Sequence, residues 1–275
     1  MNKYLIISDL DNTLLNNNRK ISFLSKLYIK KLIKQGHYFI LASGRPYQGC
    51  INYYNELKLN SYLVCDNGGS IIHPLDNSKN IIKDIPLNIF KDFLNEIKDY
   101  IYAGMSATQE VVYYQNVDLI PEWMRHDTKE RKIVHGNLNE IVNTSPINPN
   151  IFIKTEYLEV VKDILAKDKY KEIISYRHWS TNKPYTSFEI YRYDATKGNA
   201  LKDLKRILNI KEENDLAFGD QLNDLEMIKA AFNGVAMING RDELKDIAKY
   251  VSFKTNHKNG EIHFIKYFFK QKNKQ

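Results

Sequence analysis

Short apolar runs rich in β-branched and aromatic residues alternate along the chain with stretches whose apolar positions recur at helical spacing. Runs at 4–8, 38–42 and 62–65, and much later at 215–218 and 234–237, predict strands. Between them, Leu24, Leu27, Leu32 and Ile33 share one side of a predicted helix, and Leu201, Leu204, Ile207 and Leu208 line another. Alternation of this kind predicts an α/β fold: a Rossmann-like, mostly parallel sheet covered by helices. The middle of the chain reads differently. Pro86 stands where a helix begins, with Phe90, Phe93, Leu94 and Ile97 as its apolar stripe. Strand-like runs follow at 110–114, 151–154, 172–177 and 187–191, a second helix fits 157–166, and the Asn/Pro-rich stretch 143–150 reads as a loop. Helices and antiparallel strands segregated in this way predict an α+β domain at 85–188, inserted into a core made of 1–84 and 189–275.

Composition narrows the class without naming a partner. The chain has 275 residues, 43% hydrophobic and 27% charged, the balance of a globular protein. No stretch approaches the ~18 unbroken apolar residues of a membrane span, and the first apolar run is too short for the core of a signal peptide. Two cysteines, Cys50 and Cys65, make no disulfide framework, so the expectation is a reducing cytoplasm and two buried thiols. The formal charge of +7 comes mostly from Lys spread along the sequence, apart from a cluster at Lys266, Lys270, Lys272 and Lys274. Nucleic-acid binders gather Arg and Lys into a patch, so neither nucleic acid nor a membrane is expected as a partner.

Four segments carry candidate chemistry. The first strand ends in Ser8-Asp9-Leu10-Asp11-Asn12-Thr13-Leu14, with Asp9 and Asp11 two residues apart at the carboxyl end of a predicted parallel strand. Ligands bind at such ends in open α/β sheets. A surface turn rich in Asp and Asn would read the same way. The second strand ends in Ser43-Gly44-Arg45-Pro46, a hydroxyl followed by free N–H groups at a helix start, which suits a phosphate oxygen or simply caps a helix. Lys197 lies in the first turn of a predicted helix, where it opposes the macrodipole and calls for an anion or for solvent. Last, Gly219-Asp220-Gln221-Leu222-Asn223-Asp224 puts two more carboxylates at a strand tip and a helix start.

All four segments, in this order, resemble the motifs of the haloacid dehalogenase-like phosphohydrolases. Asp9 to Leu14 is similar to the first motif, Ser43 to the second, Lys197 to the third and Gly219-Asp220 through Asp224 to the fourth. Only 31 residues separate Asp11 from Ser43, while Ser43 to Lys197 spans 154, which puts the insert where the Cof-type sugar-phosphatase branch carries its cap. Asn67-Gly68-Gly69 is similar to that branch's Asn-Gly turn. Two positions depart from the pattern. Asn12 stands where Gly is common, and Asn tolerates a left-handed backbone; Asn259-Gly260-Glu261 stands where related chains often have Asp-Gly-Val.

The resemblance implies a phosphatase acting on a small phosphorylated metabolite. Asp9 would be the nucleophile that forms an aspartyl-phosphate, and Asp11 the general acid and base. Ser43, Gly44, Lys197 and Asn223 would hold the phosphoryl group. Mg²⁺ would relieve the repulsion among the carboxylates, with Asp9, Asp11 (through its carbonyl), Asp220 and Asp224 as the ligand set and Asp224 acting through water or by holding Lys197. A sugar phosphomutase and a non-catalytic ligand-binding protein on the same scaffold are the alternatives. The cap would set specificity, with Arg125, His126, Arg177, His178 and Trp179 as the polar and aromatic residues available there.

Overall fold

The first half of the core is built from β1 (Leu5–Ser8), α1 (Phe23–Lys34), β2 (Tyr38–Ala42), α2 (Tyr47–Leu57), β3 (Leu63–Cys65), β4 (Ser70–Ile72) and β5 (Ile81–Ile82). A computed structural model describes residues 3–108, 110–125, 131–180 and 184–272 of the chain. The insert contains α3 (Leu87–Ile97), β6 (Ile101–Ala107), β7 (Val111–Gln115), β8 (Lys132–His135), α4 (Leu138–Ile141), β9 (Asn150–Lys154), α5 (Leu158–Leu165), α6 (Asp168–Lys171), β10 (Ile174–Ser180) and β11 (Tyr185–Arg192). The chain then returns to the core with α7 (Lys197–Ile207), β12 (Asp215–Gly219), α8 (Leu225–Ala230), β13 (Gly234–Ala236), α9 (Asp242–Ile247), β14 (Tyr250–Val251) and α10 (Gly260–Lys272).

The core sheet has the order β14-β13-β12-β1-β2-β3-β4-β5. Strands β14 through β3 run parallel, and β4 turns back antiparallel on β3. Parallel strands buried on both faces need apolar residues at every position, which is why β1 and β2 read as unbroken runs rather than alternations. One face carries Ile6, Phe39, Leu41 and Phe218 against residues of α1, α2 and α10. The other carries Leu5, Ile7, Ile40 and Ala217 against Leu201 and Leu204 of α7, Met227 of α8 and Leu244 of α9. Strand order reverses at β1, with β2 on one side and β12 on the other, so the carboxyl ends of these three strands form a topological switch point. The motif residues sit at those ends.

The insert forms a second compact unit, Ile82–Ala195, with a six-stranded sheet of order β10-β11-β9-β6-β7-β8. Its pairs are antiparallel except β7 with β8. Phe90, Phe93, Leu94 and Ile97, the stripe read from the sequence, are fully buried against Ile151, Ile153, Phe188 and Ile190 of the sheet. The compact unit takes in a few residues beyond the expected 85–188 at each end. The reason is local: β11 runs on through 188 to Arg192, and the Lys83 ammonium donates to the Asp194 carbonyl at 3.2 Å, tying both ends of the insert together.

Two helix faces also differ from the pattern reading. In α1, Leu27 is 52% exposed while Ser25, Ile29 and Leu32 face inward, and in α7 Ile207 is 39% exposed beyond the buried pair Leu201 and Leu204. Period alone places a stripe to within about one residue of arc, and the neighbouring helix settles its edge. Strands β4, β5 and β14 of the core and β6 and β8 of the insert fall outside the runs that predict strands. Strand β6 reads Ile-Tyr-Ala-Gly-Met-Ser-Ala, too poor in β-branched residues to register as one.

Candidate active site

The loop after β1 sets the first two carboxylates. Asn12 has φ 57°, ψ 7°, so the left-handed backbone that Gly would supply is here held by Asn, and the loop keeps its turn. Thr13 pins the loop to the end of β12 by donating its hydroxyl to Asp220 Oδ1 at 3.0 Å. Asp9 is 6% exposed, and Lys197, fully buried, donates to Asp9 Oδ1 and to Asp224 Oδ1, both at 2.6 Å. Asp224 in turn accepts the backbone N–H groups of Asp220 and Gln221 on Oδ2, at 2.9 and 3.0 Å.

Charge balance in this cluster follows from burial. Desolvation raises the Asp9 carboxyl well above its usual range; Lys197 pulls it back and Asp224 adds to the rise. Burial works against the Lys197 ammonium, but Asp224 and Asp9 outweigh it, and Lys197 is held protonated above its ordinary value. Asp220 is pushed up to about 6 by burial first and by Asp224 second. Its Oδ2 is buried and has no hydrogen-bond partner. Three buried carboxylates and one ammonium leave an excess of negative charge, and ligand oxygens of Asp9, Asp220 and Asp224 lie within 4.8 Å of one another. A hard divalent cation fits this donor set, and the orphaned Asp220 Oδ2 is an open ligand position for it.

Above the cluster lies a cavity of about 240 Å³ lined by Asp9, Asp11, Asn12, Ser43, Gly44, Arg45, Gln221 and Asn223. The Asp11 carboxylate is held in a two-point pair with Arg45, whose Nε and Nη2 donate at 2.8 and 2.5 Å. Ser43 is buried at the end of β2, its carbonyl accepting from the Asn67 N–H at 3.0 Å. Asn67 also accepts from the Asn223 amide at 2.8 Å and lies against Gly44, where an added Cβ would stand 3.0 Å from its Oδ1. The motifs after β2, β3 and β12 are thereby tied into one rim.

Asp9, Asp11, Ser43, Gly44 and Asn223 all line this cavity. Asp220, Asp224 and Lys197 lie beneath, buried, so Lys197 acts here by bracing Asp9 and Asp224. Three further side chains at the site, Arg45, Thr13 and Asn67, carry no role in the sequence motifs. Arg45 alone had a usable signal, since an arginine directly after the Ser-Gly turn sits beside whatever that turn binds. In the insert, Arg177 pairs with Glu189 at 3.6 Å and lies over the Tyr191 ring, His178 packs near Phe188, and Arg125 donates to the Ile120 carbonyl. His126 and the Trp179 side chain lie outside the described residues.

Gly68 seats the Asn67 turn against the start of α7. It has φ +102°, and a Cβ there would stand 2.3 Å from the Thr196 carbonyl oxygen. Gly68→Ala is expected to cost about 3 kcal/mol, from left-handed strain plus a backbone clash, and to lower activity by displacing Thr196 and Lys197. Urea denaturation midpoints measure the first effect; an unchanged midpoint would mean the turn yields freely.

The sequence profile of the haloacid dehalogenase-like hydrolases matches residues 6–265. The 5-amino-6-(5-phospho-D-ribitylamino)uracil phosphatase of Bacillus subtilis is 31% identical over 270 residues, covering 97% of each chain. A second Bacillus subtilis phosphatase of the same description is 27% identical over 269 residues, covering 96% of this chain and 95% of its own. Among solved structures, a Thermotoga maritima protein superposes with a TM-score of 0.77 at 28% identity, covering 96% of this chain and 97% of that one. A haloacid dehalogenase-like hydrolase of Bacteroides thetaiotaomicron gives 0.75 at 25% identity, covering 97% and 99%. The chain belongs to the haloacid dehalogenase-like hydrolase family and is an enzyme of its phosphatase class. Among the described residues no helix is long and apolar enough to cross a membrane.

Proposed function

We propose that this enzyme hydrolyses a small phosphorylated metabolite through an aspartyl-phosphate on Asp9, with Mg²⁺ at the carboxylate cluster. The observation that carries this reading is Asp9 itself: it lines the cavity beside Ser43 and Gly44 while Lys197 braces its Oδ1 from below. An oxygen of Asp9 attacks phosphorus as the bond to the leaving oxygen breaks, which splits one hard displacement into two easier ones. Asp11 gives a proton to the leaving oxygen, then takes one from the water that hydrolyses the acyl-phosphate. To move a proton at the reacting oxygen, Asp11 releases one oxygen from the Arg45 guanidinium. Ser43, the Gly44 N–H and Asn223 hold the phosphoryl oxygens, and charge stabilisation does most of the work in such a transfer. Asp9 and Asp220, with the Asp11 carbonyl, would hold the cation, and Asp224 orients Lys197 and the start of the loop after β12. When bound, the cation neutralises charge on the phosphoryl oxygens and on the carboxylates. The inserted domain, 82–195, would select the substrate.

The test is phosphate release from a panel of phosphorylated metabolites. The panel includes 5-amino-6-(5-phospho-D-ribitylamino)uracil, the substrate named for two of the relatives, along with hexose phosphates, pyridoxal phosphate and flavin mononucleotide. Turnover is expected to vanish in excess chelator, to return with Mg²⁺, and to be poorly supported by Ca²⁺, which relaxes octahedral geometry. Undiminished turnover in chelator would remove the metal from the proposal, and no release from any compound would remove the substrate class.

A further inference from the structure

The buried carboxyl of Glu261 has no part in the scheme above, yet it stands directly behind the nucleophile. Glu261 opens α10, is 1% exposed, and its Oε2 lies 3.0 Å from the hydroxyl of Ser8, which is fully buried. The same Ser8 hydroxyl lies 2.8 Å from the carbonyl oxygen of Asp9. A serine hydroxyl has one hydrogen and two acceptor sites. If Glu261 were ionised, that hydrogen could serve only one of two acceptors, and Oε1, which is buried with no partner, would be a bare anionic oxygen. A proton on Oε2 resolves the count: Glu261 donates to Ser8 Oγ, and Ser8 donates to the Asp9 carbonyl.

We propose that Glu261 is carried protonated and is a positioning residue, the first donor in a chain through Ser8 that fixes the Asp9 backbone at the tip of β1. The departure from the family's Asp-Gly-Val pattern at 259–261 is therefore functional in this chain. Its surroundings agree. Burial pushes the Glu261 carboxyl up to about 8, the Ser8 hydroxyl opposes this, and Asp9 adds to it. The other charged groups on the elements packed around it are engaged or outward. Asp11 is taken by Arg45, Lys26 of α1 pairs with Glu56, His263 meets Lys254 at the surface, and His257 and Lys258 are exposed.

The experiment compares the wild type with Glu261→Gln, whose amide N–H can still donate to Ser8, and Glu261→Val, which cannot. Carbon-13 NMR of the side-chain carboxyls, with the Gln variant assigning the signal, should show Glu261 protonated at pH 7 and titrating near 8. Titration near 4.5, the ordinary value, would overturn the proposal whatever the enzyme's substrate. Thermal stability supplies a second reading. Between pH 4.5 and 8 the folded state holds a proton that the unfolded chain has released, so wild-type stability should fall relative to Glu261→Gln across that window and then run parallel above it. Parallel curves throughout would overturn it.

The kinetic arm rests on the phosphatase reading. At pH 7 Glu261→Gln should keep turnover within about twofold, and from pH 7 to 9 the wild type should lose about tenfold in kcat relative to it, with KM little changed. Glu261→Val should have lowered kcat at every pH. Superimposed wild-type and Gln profiles, or full activity in the Val variant, would overturn the positioning role. No turnover in any variant would count against the phosphatase reading alone, since the carboxyl titration needs no substrate.

Discussion

Replacing Asp9 by Asn is expected to abolish turnover, by at least about 10⁴-fold in kcat, while the protein stays folded and still binds metal and substrate. The amide keeps the shape and the Lys197 contact but has no lone pair able to displace an alkoxide. Lys197 retains Asp224, so the buried ammonium is not left alone. Asp11→Asn should behave differently. It leaves the nucleophile intact and removes the proton donor, so alkyl phosphates, which leave poorly, lose most of their rate at the first step. An activated aryl phosphate needs little protonation and should still load Asp9, and the acyl-phosphate should then accumulate because the attacking water lacks its base. Intact-protein mass after a brief pulse of aryl phosphate reads this directly: one added phosphoryl group in Asp11→Asn and none in the double variant Asp9→Asn, Asp11→Asn. Phosphate trapped in the double variant, or on a residue other than Asp9, would reject the assignment.

The second large effect belongs to Lys197. Among the described residues it is the one cation bonded to both Asp9 and Asp224, all three are buried, and removing one partner of such a pair leaves charge without a counterion. Lys197→Met, close in volume, should therefore destabilise the protein by about 3–5 kcal/mol in the absence of metal. Turnover should fall by about 10³-fold, because Asp9 loses both its orientation and the neighbouring positive charge. Divalent cation should restore part of the stability by supplying charge to the same carboxylates, and restore little of the rate. Urea denaturation with and without Mg²⁺, beside kcat under saturating Mg²⁺, separates the two. Wild-type stability in metal-free buffer would show that Lys197 is not the counterion the carboxylates depend on.

The contrast between these two residues shows how far local sequence reaches. Asp9 is legible because its place depends only on β1 being a parallel strand that ends in a turn, and an apolar run followed by two aspartates says as much. Lys197 was legible as a residue in need of an anion, through its place in the first turn of α7, but not as a fully buried brace. Thr196 caps that helix by accepting from the Asn199 N–H, and Gly68, about 130 positions earlier, lies close against the Thr196 carbonyl, a tertiary contact that no local pattern records. The role of Arg45 is not legible in its own motif, because its partner Asp11 is 34 positions away in a different loop.

What the sequence determined by itself was the alternation of the main core strands and helices, the candidate side chains at the ends of β1, β2 and β12, and the presence of an insert between Ser43 and Lys197. Those follow from patterns of apolar residues a few positions apart, which set secondary structure without reference to the rest of the chain. Tertiary structure alone decided the Asp11–Arg45 pair, the orphaned oxygen of Asp220, the Glu261–Ser8 contact across 253 positions, and strands β6 and β8 in the insert. Each of these depends on desolvation or pairing between groups remote in the chain. Burial is what lifts the Glu261 carboxyl above the range of a surface glutamate, and a linear pattern holds no record of which polar side chains packing will strip of water.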